Sequence, residues 1–297
     1  MSRLKELEEK AILRLQTFKP NSEFERPYYL AYSGGKDSDV ILTLAELAGV
    51  KYEAVHNLTT ADAPETVYYV RSKKNVEISK PRISMWELIP KKLMPPTRIA
   101  RYCCAELKER GGQGRRVITG VRCAESSKRA ENAGSVKILG NADKAKSKAE
   151  EIGVDYRQTK QGGIILNNDN TEDRELVEHC AMQAKIMVNP IYDWEDADVW
   201  EFLRHYGVEG NPLYQCGFKR VGCIGCPMAD KHRYFQFNKY PKYKENYIRA
   251  FDRMIKRREE KGLKSFGNFF TAEEVFKWWM NEDPTQLTFQ DLEVLSD

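Results

Sequence analysis

The sequence predicts an α/β protein, with a parallel, twisted sheet that carries helices on both faces and with a helical C-terminal region. Short apolar runs of strand character alternate, along much of the chain, with segments whose apolar residues recur at helical spacing. This alternation is typical of parallel sheets, because a helix usually connects two parallel strands. A chain of 297 residues is long enough for one large domain or for a domain with an added lobe.

Strands and helices follow one another in a definite order. Strands are predicted at 28–32, 52–58 and 115–122. Helices are predicted within 1–27 and at 39–49, 64–74, 85–93, 105–110, 172–184 and 196–206. The segment 134–170 is rich in Gly, Asn, Asp and Lys, and we interpret it as an insertion or flap with a charged helical piece at 142–152.

A glycine-rich turn connects the first strand to the helix at 39–49. Its residues are Ser33, Gly34, Gly35, Lys36, Asp37 and Ser38. Backbone N–H groups at such a turn point outward at the positive end of the helix dipole, which is a geometry that binds phosphate, and Asp37 is expected to cap the helix. The spacing matches neither the Walker loop nor the dinucleotide fingerprint. A capped turn without a ligand is the alternative, and the strand–turn–helix setting argues against it.

Two close pairs of cysteines occur among the seven cysteines of the chain, namely Cys103 with Cys104 and Cys223 with Cys226. Four thiolates suit a [4Fe–4S] cluster or tetrahedral zinc, and an adjacent pair fits the larger cluster more easily. Buried free thiols are the alternative, which we prefer for Cys123 and Cys180. Whether Cys216 replaces one of the four ligands stays open.

These motifs together resemble the phosphoadenosine phosphosulfate reductase family in its broad sense. The resemblance covers about residues 28–230 and depends on the glycine-rich turn and on the segments 57–65, 101–104, 120–129, 189–194, 198–200 and 223–227. It implies a Rossmann-like, adenine nucleotide alpha-hydrolase-like fold with a nucleotide site. It also implies that cluster-bearing members hold a [4Fe–4S] cluster on the two cysteine pairs. The domain at 28–230 would then bind the nucleotide and the cluster, with 1–27 before it and 231–297 after it.

Residues outside the turn complete the expected nucleotide site, namely Thr60, Asp62, Arg122 and Arg129. The two arginines could hold phosphate with two hydrogen bonds each, whereas surface ion pairs are the alternative. Asp62 could bind Mg²⁺ or ribose, or it could be a turn residue, and neither interpretation is preferred. We expect Lys36 and Arg122 to neutralise charge during catalysis.

Two departures from the family pattern concern the reaction. Sulfonucleotide reductases carry a nucleophilic cysteine near the C-terminus and tend to have a degenerate phosphate loop. This chain has no cysteine after Cys226, and its loop is intact. Both departures favour cleavage of ATP, with Mg²⁺, between the α and β phosphates, as in ATP-dependent sulfurtransferases. A genuine adenylylsulfate or phosphoadenylylsulfate reductase that uses an external thiol is the alternative, and a non-catalytic nucleotide sensor or nucleic-acid-binding subunit is a second one.

The partners implied are an adenine nucleotide and a sulfur-donor or electron-donor protein. Between 231 and 264 the chain has 12 Lys or Arg against 4 Asp or Glu, interleaved with aromatic residues. This composition suits nucleic acid, but the solvated face of an amphipathic helix has it too, and we prefer the second interpretation. No apolar run is long enough to span a membrane, and the N-terminus is rich in Glu and Lys, so we expect a cytoplasmic protein without a membrane partner.

Overall fold

The computed structural model describes residues 3–20, 25–109, 111–125, 134–139, 146–147, 149–150, 156–158, 164–166 and 185–280. The chain divides into two compact units. Unit 1 consists of Met1–Asn57, Glu65–Ser79 and Gly111–Val221, and unit 2 consists of Leu58–Pro64, Lys80–Arg110 and Gly222–Asp297. Each unit combines separate stretches of the chain, and the boundaries predicted after residues 27 and 230 stay a prediction.

Unit 1 contains a sheet of eight strands among the described residues. In chain order these are β1 (Tyr28–Ala31), β2 (Tyr52–Asn57), β3 (Val76–Ser79), β4 (Arg116–Ile118), β5 (Val136–Leu139), β6 (Tyr156–Gln158), β7 (Ile164–Leu166) and β8 (Lys185–Val188). Their order across the sheet is β3-β2-β1-β4-β8-β5-β7-β6. The first five strands in this order are parallel to one another, whereas β5, β7 and β6 are antiparallel additions. The predicted parallel α/β fold is therefore confirmed.

Strand β1 lies inside the sheet, between β2 and β4. Leu30 is paired with Ala54 on one side and with Ile118 on the other. Tyr28, Leu30 and Ile118 are fully buried. A strand buried on both faces must be apolar throughout, which explains the short continuous apolar run that precedes the glycine-rich turn.

The helices surround this sheet or form unit 2. They are α1 (Arg3–Thr17), α2 (Lys36–Leu47), α3 (Pro64–Ser72), α4 (Met85–Lys92), α5 (Asp196–His205), α6 (His232–Lys239), α7 (Pro241–Glu260) and α8 (Ala272–Met280). In α1, Leu4, Leu7, Ala11 and Leu15 are buried at helical spacing. Arg14 fixes this helix to the rest of unit 1, because its guanidinium makes two hydrogen bonds to the Asp193 carboxylate, of 2.7 and 2.8 Å.

Several strands of the sheet were not predicted from the sequence. They include β3 at one edge, β8 in the parallel part, and β5, β6 and β7 within the segment 134–170. Strands of three or four residues are too short to show a clear alternation of apolar and polar residues. The interpretation of 134–170 as an insertion stays a prediction, most of the helical piece at 142–152 lies outside the described residues, and the helix predicted at 172–184 lies entirely outside them.

Unit 2 is helical and has an aromatic core. Helix α7 buries Tyr247, Phe251 and Met254 on one face, and Trp279 of α8 packs against Tyr247 with ring centroids 4.6 Å apart. The Trp279 indole N–H donates to the Pro96 carbonyl at 2.7 Å, so the buried polar group of this large side chain is satisfied. The predicted helical C-terminal region is confirmed as far as residue 280. Within the described part of the chain, no helix has both the length and the apolarity needed to span a membrane.

Candidate functional site

The glycine-rich turn lies in unit 1 between the end of β1 and the start of α2. Gly35 is the N-cap of α2, which begins at Lys36, so the prediction that Asp37 caps this helix is wrong. The helix begins earlier than its apolar residues suggest. Gly34 has φ of +76°, and a Cβ at this position would lie 3.0 Å from Val70 and 3.2 Å from Thr66. Both the backbone conformation and the close packing therefore favour glycine.

Hydrogen bonds from within and from a distant segment hold the turn. The Ser38 hydroxyl accepts from the Gly35 amide at 3.0 Å and donates to the Gly35 carbonyl at 2.7 Å. The Asn211 side-chain amide donates to the Gly34 carbonyl at 2.9 Å. The Lys36 amide donates to the Tyr214 hydroxyl, also at 2.9 Å. Burial raises the pKa of Tyr214, so this hydroxyl keeps its own proton and can donate it to another group.

Two cations and two carboxylates lie beside the turn. Arg122 is 1% exposed, its Nε donates to Asp37 Oδ1 at 2.6 Å, and its Nη2 donates to Asp196. Lys36 Nζ lies 3.2 Å from Asp196 Oδ1 and 3.5 Å from Asp37 Oδ2. Desolvation acts to raise the pKa of Asp196, but Arg122 and Lys36 outweigh it and hold this pKa below its usual value. The four charges balance, and the Asp196 side chain is the exposed member, at 69%.

A buried carboxylate in the first turn of α2 escaped the sequence analysis. Asp39 is 2% exposed and accepts hydrogen bonds from the hydroxyls of Tyr32 and Tyr69. Burial raises the pKa of Asp39 to about 6, although Lys73 Nζ lies 3.9 Å away. One signal in the sequence was an acidic residue directly before the apolar run 40–42, but the two tyrosines can be assigned to it only in three dimensions.

The remaining residues predicted for nucleotide binding are not part of the described portion of unit 1. Thr60 and Asp62 belong to unit 2, and Arg129 lies outside the described residues. The Thr60 hydroxyl accepts from the Met85 amide at 2.9 Å. Asp62 is 6% exposed, and its Oδ2 accepts from the Thr59 amide at 2.6 Å. These contacts stabilise the local backbone of unit 2, and binding of Mg²⁺ or ribose by Asp62 stays a prediction.

All four cysteines predicted as cluster ligands belong to unit 2. Cys104 begins a wide, π-helical turn, Cys104–Lys108, in which the Glu109 amide donates to the Cys104 carbonyl at 2.9 Å. Turns of this kind are rare in proteins, and those that occur often lie at functional sites. Cys216 is exposed and belongs to unit 1, as does Cys123, whereas Cys180 lies outside the described residues.

A second tight turn carries Cys223 and Cys226. Gly225 between them has φ of +75°, and a Cβ there would lie 2.5 Å from the Phe237 ring. The Gly225 amide donates to Gln236 Oε1 at 2.8 Å. The aromatic core of unit 2 therefore leaves no space for a side chain at Gly225.

The thiols of unit 2 affect one another electrostatically. A hydrogen bond between the two adjacent thiols lowers the pKa of Cys104 and raises that of Cys103, on which Cys223 and Cys226 also act. Burial raises the pKa of Cys223. Two cations accompany the thiols. Arg101 Nη2 lies 3.4 Å from Cys104 Sγ, and negative charge on Cys223 is the main cause of the raised pKa of Lys108.

This donor set fits a metal–thiolate centre in kind, because four thiols from two segments converge in one unit beside two cations that would offset thiolate charge. It is not arranged around a single metal ion. Among the described residues, no group of three or more His, Cys, Asp or Glu side chains lies ready to hold a metal ion.

Comparison with known proteins assigns the chain to a family. The family model described as "Phosphoadenosine phosphosulfate reductase domain" matches residues 27–229. The chain belongs to this family, taken in its broad sense. The predicted recognition is confirmed, and with it the enzymatic character of the family and its adenine nucleotide-binding fold.

Individual relatives are distant or match only in part. An uncharacterised protein of Methanocaldococcus jannaschii is 26% identical over 269 residues, which cover 86% of this chain and 52% of that protein. Adenosine 5'-phosphosulfate reductase of Allochromatium vinosum is 43% identical over 42 residues, which cover 14% of this chain and 16% of that enzyme. The chain thus spans about half the length of the first relative, and less of the second. The crystal structure of phosphoadenylyl-sulfate reductase from Candida auris superposes with a TM-score of 0.43 at 16% identity, covering 75% of this chain and 96% of that one.

The substitution Gly34→Ala tests the packing of the turn. We expect it to lower the free energy of unfolding by more than Gly49→Ala, the matched control. Both positions have positive φ, but a Cβ at Gly49 would meet nothing within 4 Å. The control should therefore lose only the backbone cost of about 1–2 kcal/mol. Urea unfolding followed by circular dichroism measures both, and equal losses would show that Val70 and Thr66 yield to the added methyl group.

The substitution Asp39→Asn tests the buried carboxylate. Because the folded-state pKa of about 6 exceeds the ordinary 3.8, the folded protein retains this proton more tightly than the unfolded chain does. The contribution of Asp39 to stability is therefore fully present below pH 3.8 and is lost as the pH rises through 6. Wild type should lose about 3 kcal/mol relative to Asp39→Asn between pH 3.5 and 7. Urea unfolding at several pH values measures this difference, and a difference that is independent of pH would contradict the assignment.

Proposed function

We propose that this enzyme binds ATP at the glycine-rich turn of unit 1 and cleaves it between the α and β phosphates, as the ATP-consuming step of a sulfur-transfer reaction. The observation that carries the proposal is the turn itself. It is intact in sequence, it contains a glycine with positive φ, and it opens directly into the first residue of α2. A phosphate group at this point would meet the positive end of the helix dipole.

Free backbone donors support a phosphate ligand here. The amides of Gly34 and Asp37 donate no hydrogen bond among the described residues. The Lys36 amide is held by the Tyr214 hydroxyl, whose own proton remains available for a phosphate oxygen. Amides and a neutral hydroxyl that are already fixed in place bind charge without reorganisation, which is how electrostatic stabilisation accelerates phosphoryl and adenylyl transfer.

The charged side chains beside the turn suggest how a polyphosphate would enter. The Asp196 carboxylate forms ion pairs with Lys36 and Arg122, and its exposed side chain can rotate into solvent. A phosphate would then replace one carboxylate as the partner of Lys36. Arg122 is buried and bonded to Asp37, so we assign it the positioning of this carboxylate, and it would meet phosphate only after Asp196 moves. Mg²⁺ would arrive with the nucleotide, since it is usually bound by substrate phosphates and one or two carboxylates. Asp196 is the exposed carboxylate beside the turn that could serve as such a ligand.

The thiols of unit 2 would hold a [4Fe–4S] cluster, on Cys103, Cys104, Cys223 and Cys226. Such a cluster would supply sulfur or electrons. In this chain Arg101 and Lys108 would offset its negative charge, and the turn around Gly225 would set the spacing of the second cysteine pair. The four thiolate donors and their location in one unit support an iron centre. Tetrahedral zinc takes the same four thiolate donors.

One observation favours a second function, reduction of adenylyl sulfate with an external thiol. Enzymes named adenosine 5'-phosphosulfate reductase are among the relatives, at 43% identity over a short stretch. The two functions consume different nucleotides and release different products, so a direct assay separates them.

Incubation of anaerobically purified full-length protein with Mg²⁺ and ATP labelled at the α phosphate tests the reaction. We expect AMP and pyrophosphate over many hours with water as acceptor, and no reaction with ATP that carries a methylene group between the α and β phosphates. Lys36→Ala should slow cleavage by about 100-fold, because a charge that stabilises the transition state is removed. Lys74→Ala, an exposed lysine of unit 1, is the matched control. Formation of ADP would contradict the proposal, and sulfite from adenylyl sulfate without ATP cleavage would establish the reductase instead.

Iron and sulfide quantitation after anaerobic purification tests the cluster. We expect about four iron atoms per chain and a broad absorption band in the visible range. Cys226→Ser should lose most of the iron, whereas Cys216→Ser, at an exposed cysteine of unit 1, should retain it. A colourless protein that contains zinc would rule the cluster out, and loss of iron in Cys216→Ser would identify Cys216 as a ligand.

A further inference from the structure

A surface cavity of about 740 Å³ on unit 2 is not explained by the glycine-rich turn or by the thiols. It is lined by Arg82, Ile83, Glu87, Lys91, Glu106 and Arg257. Three of these residues are cationic, two are acidic and one is apolar. The cavity lies between residues of α4, the segment before it, the π-helical turn and α7, all of which belong to the same unit.

The carboxylates of this cavity are already engaged. Glu87 Oε2 accepts from the backbone amide and the hydroxyl of Ser84, at 3.0 and 2.7 Å, and so caps α4. Glu106 Oε1 lies 3.4 Å from Lys92 Nζ. The cations lack such partners, since Arg82, Lys91 and Arg257 make no hydrogen bond or ion pair with their side chains among the described residues. Glu87 keeps its negative charge, because both of its partners in Ser84 are neutral. Four cations, counting Lys92, therefore face two carboxylates, which leaves the cavity with an excess of two positive charges.

A row of basic side chains along α7 continues from the cavity. Lys242, Arg249, Arg253 and Arg257 are separated by seven, four and four residues and thus share one face of the helix. The opposite face is buried through Tyr247, Phe251 and Met254. All four basic residues are exposed. Arg249 also pairs with Glu245 at 3.1 Å, and Arg253 donates to the Trp86 carbonyl at 2.7 Å, so a phosphate would share or replace these partners. At 1.5 Å per residue the row is about 22 Å long, which is far longer than a single phosphate group.

We propose that the cavity and this row bind the sugar–phosphate backbone of a polynucleotide. A row of this length suits a chain of phosphates, and guanidinium groups bind phosphate with two hydrogen bonds. A single nucleotide would need a stacking partner, whereas Ile83 is the one apolar residue of the cavity lining. The aromatic residues of α7 that are buried in the core cannot stack on bases. Recognition through phosphates alone predicts little dependence on base sequence and a strong dependence on salt.

Fluorescence anisotropy with a labelled 20-nucleotide single strand, as RNA and as DNA, and with the matching duplex, tests this surface between 50 and 200 mM salt. Wild type should bind, with log K falling linearly against log salt. The variant Arg82→Glu/Lys91→Glu/Arg257→Glu should bind the single strand at least about tenfold more weakly, and its slope should be shallower by about 2. If it unfolds, the Gln triple variant replaces it. The RNA, DNA and duplex arms identify the preferred polymer.

The matched control is Lys19→Glu/Lys51→Glu/Lys74→Glu, which makes the same change in net charge at exposed residues of unit 1. It should bind as wild type does. Equal losses in both triple variants would show that overall charge accounts for the binding. Absence of binding by wild type, or competition by poly-glutamate as effective as that by the polynucleotide, would overturn the proposal, and the second result would indicate an acidic protein partner.

Discussion

The close approach at Gly34 is the constraint on which the candidate site of unit 1 depends. The chain leaves a fully buried strand and must enter a helix within a few residues, directly against Val70 and Thr66. Positive φ at Gly34 turns the backbone, and the paired hydrogen bonds between Ser38 and Gly35 close the turn behind it. The amides at the start of α2 therefore have fixed directions before any ligand arrives, which lowers the cost of organising an anion site.

Electrostatics in this region is balanced without a ligand, and the balance explains how a buried cation is tolerated. Arg122 is 1% exposed, and burying an unpaired guanidinium would be costly. Asp37 and Asp196 supply the compensating charge. Only Asp196 is exposed among the four charged groups, so it is the group that an incoming phosphate could replace at the smallest structural cost. Asp39 differs, because its carboxylate is enclosed and bonded to two tyrosines.

The sequence predicted what depends on contiguous residues and missed what depends on distant ones. The turn at 33–38 could be recognised because its six residues and the flanking strand and helix are continuous. Asn211 and Tyr214 bond to the turn from more than 170 residues away in sequence, and nothing local marks them as partners. Strand β8 has four residues, Lys185–Val188, and acquires its structure by pairing with β4 and β5. The structure places both cysteine pairs in unit 2, whereas their binding of one metal centre stays a prediction that rests on thiolate chemistry.

The interleaving of basic and aromatic residues between 231 and 264 has a simple origin in the geometry of α7. A helix with an aromatic core face and a basic solvent face alternates the two residue types along its sequence, because successive residues are 100° apart. Composition alone therefore cannot distinguish a nucleic-acid surface from an ordinary solvated helix.

The two differ in whether each basic side chain has an acidic partner nearby. Arg249 is paired with Glu245 and Lys256 with Asp252, as on many solvated helices. Arg257 faces a cavity in which four cations, counting Lys92, meet only two carboxylates. An excess of positive charge on one cavity lowers the local cost of binding an anion, and this feature, which the sequence does not show, singles out one part of the helix.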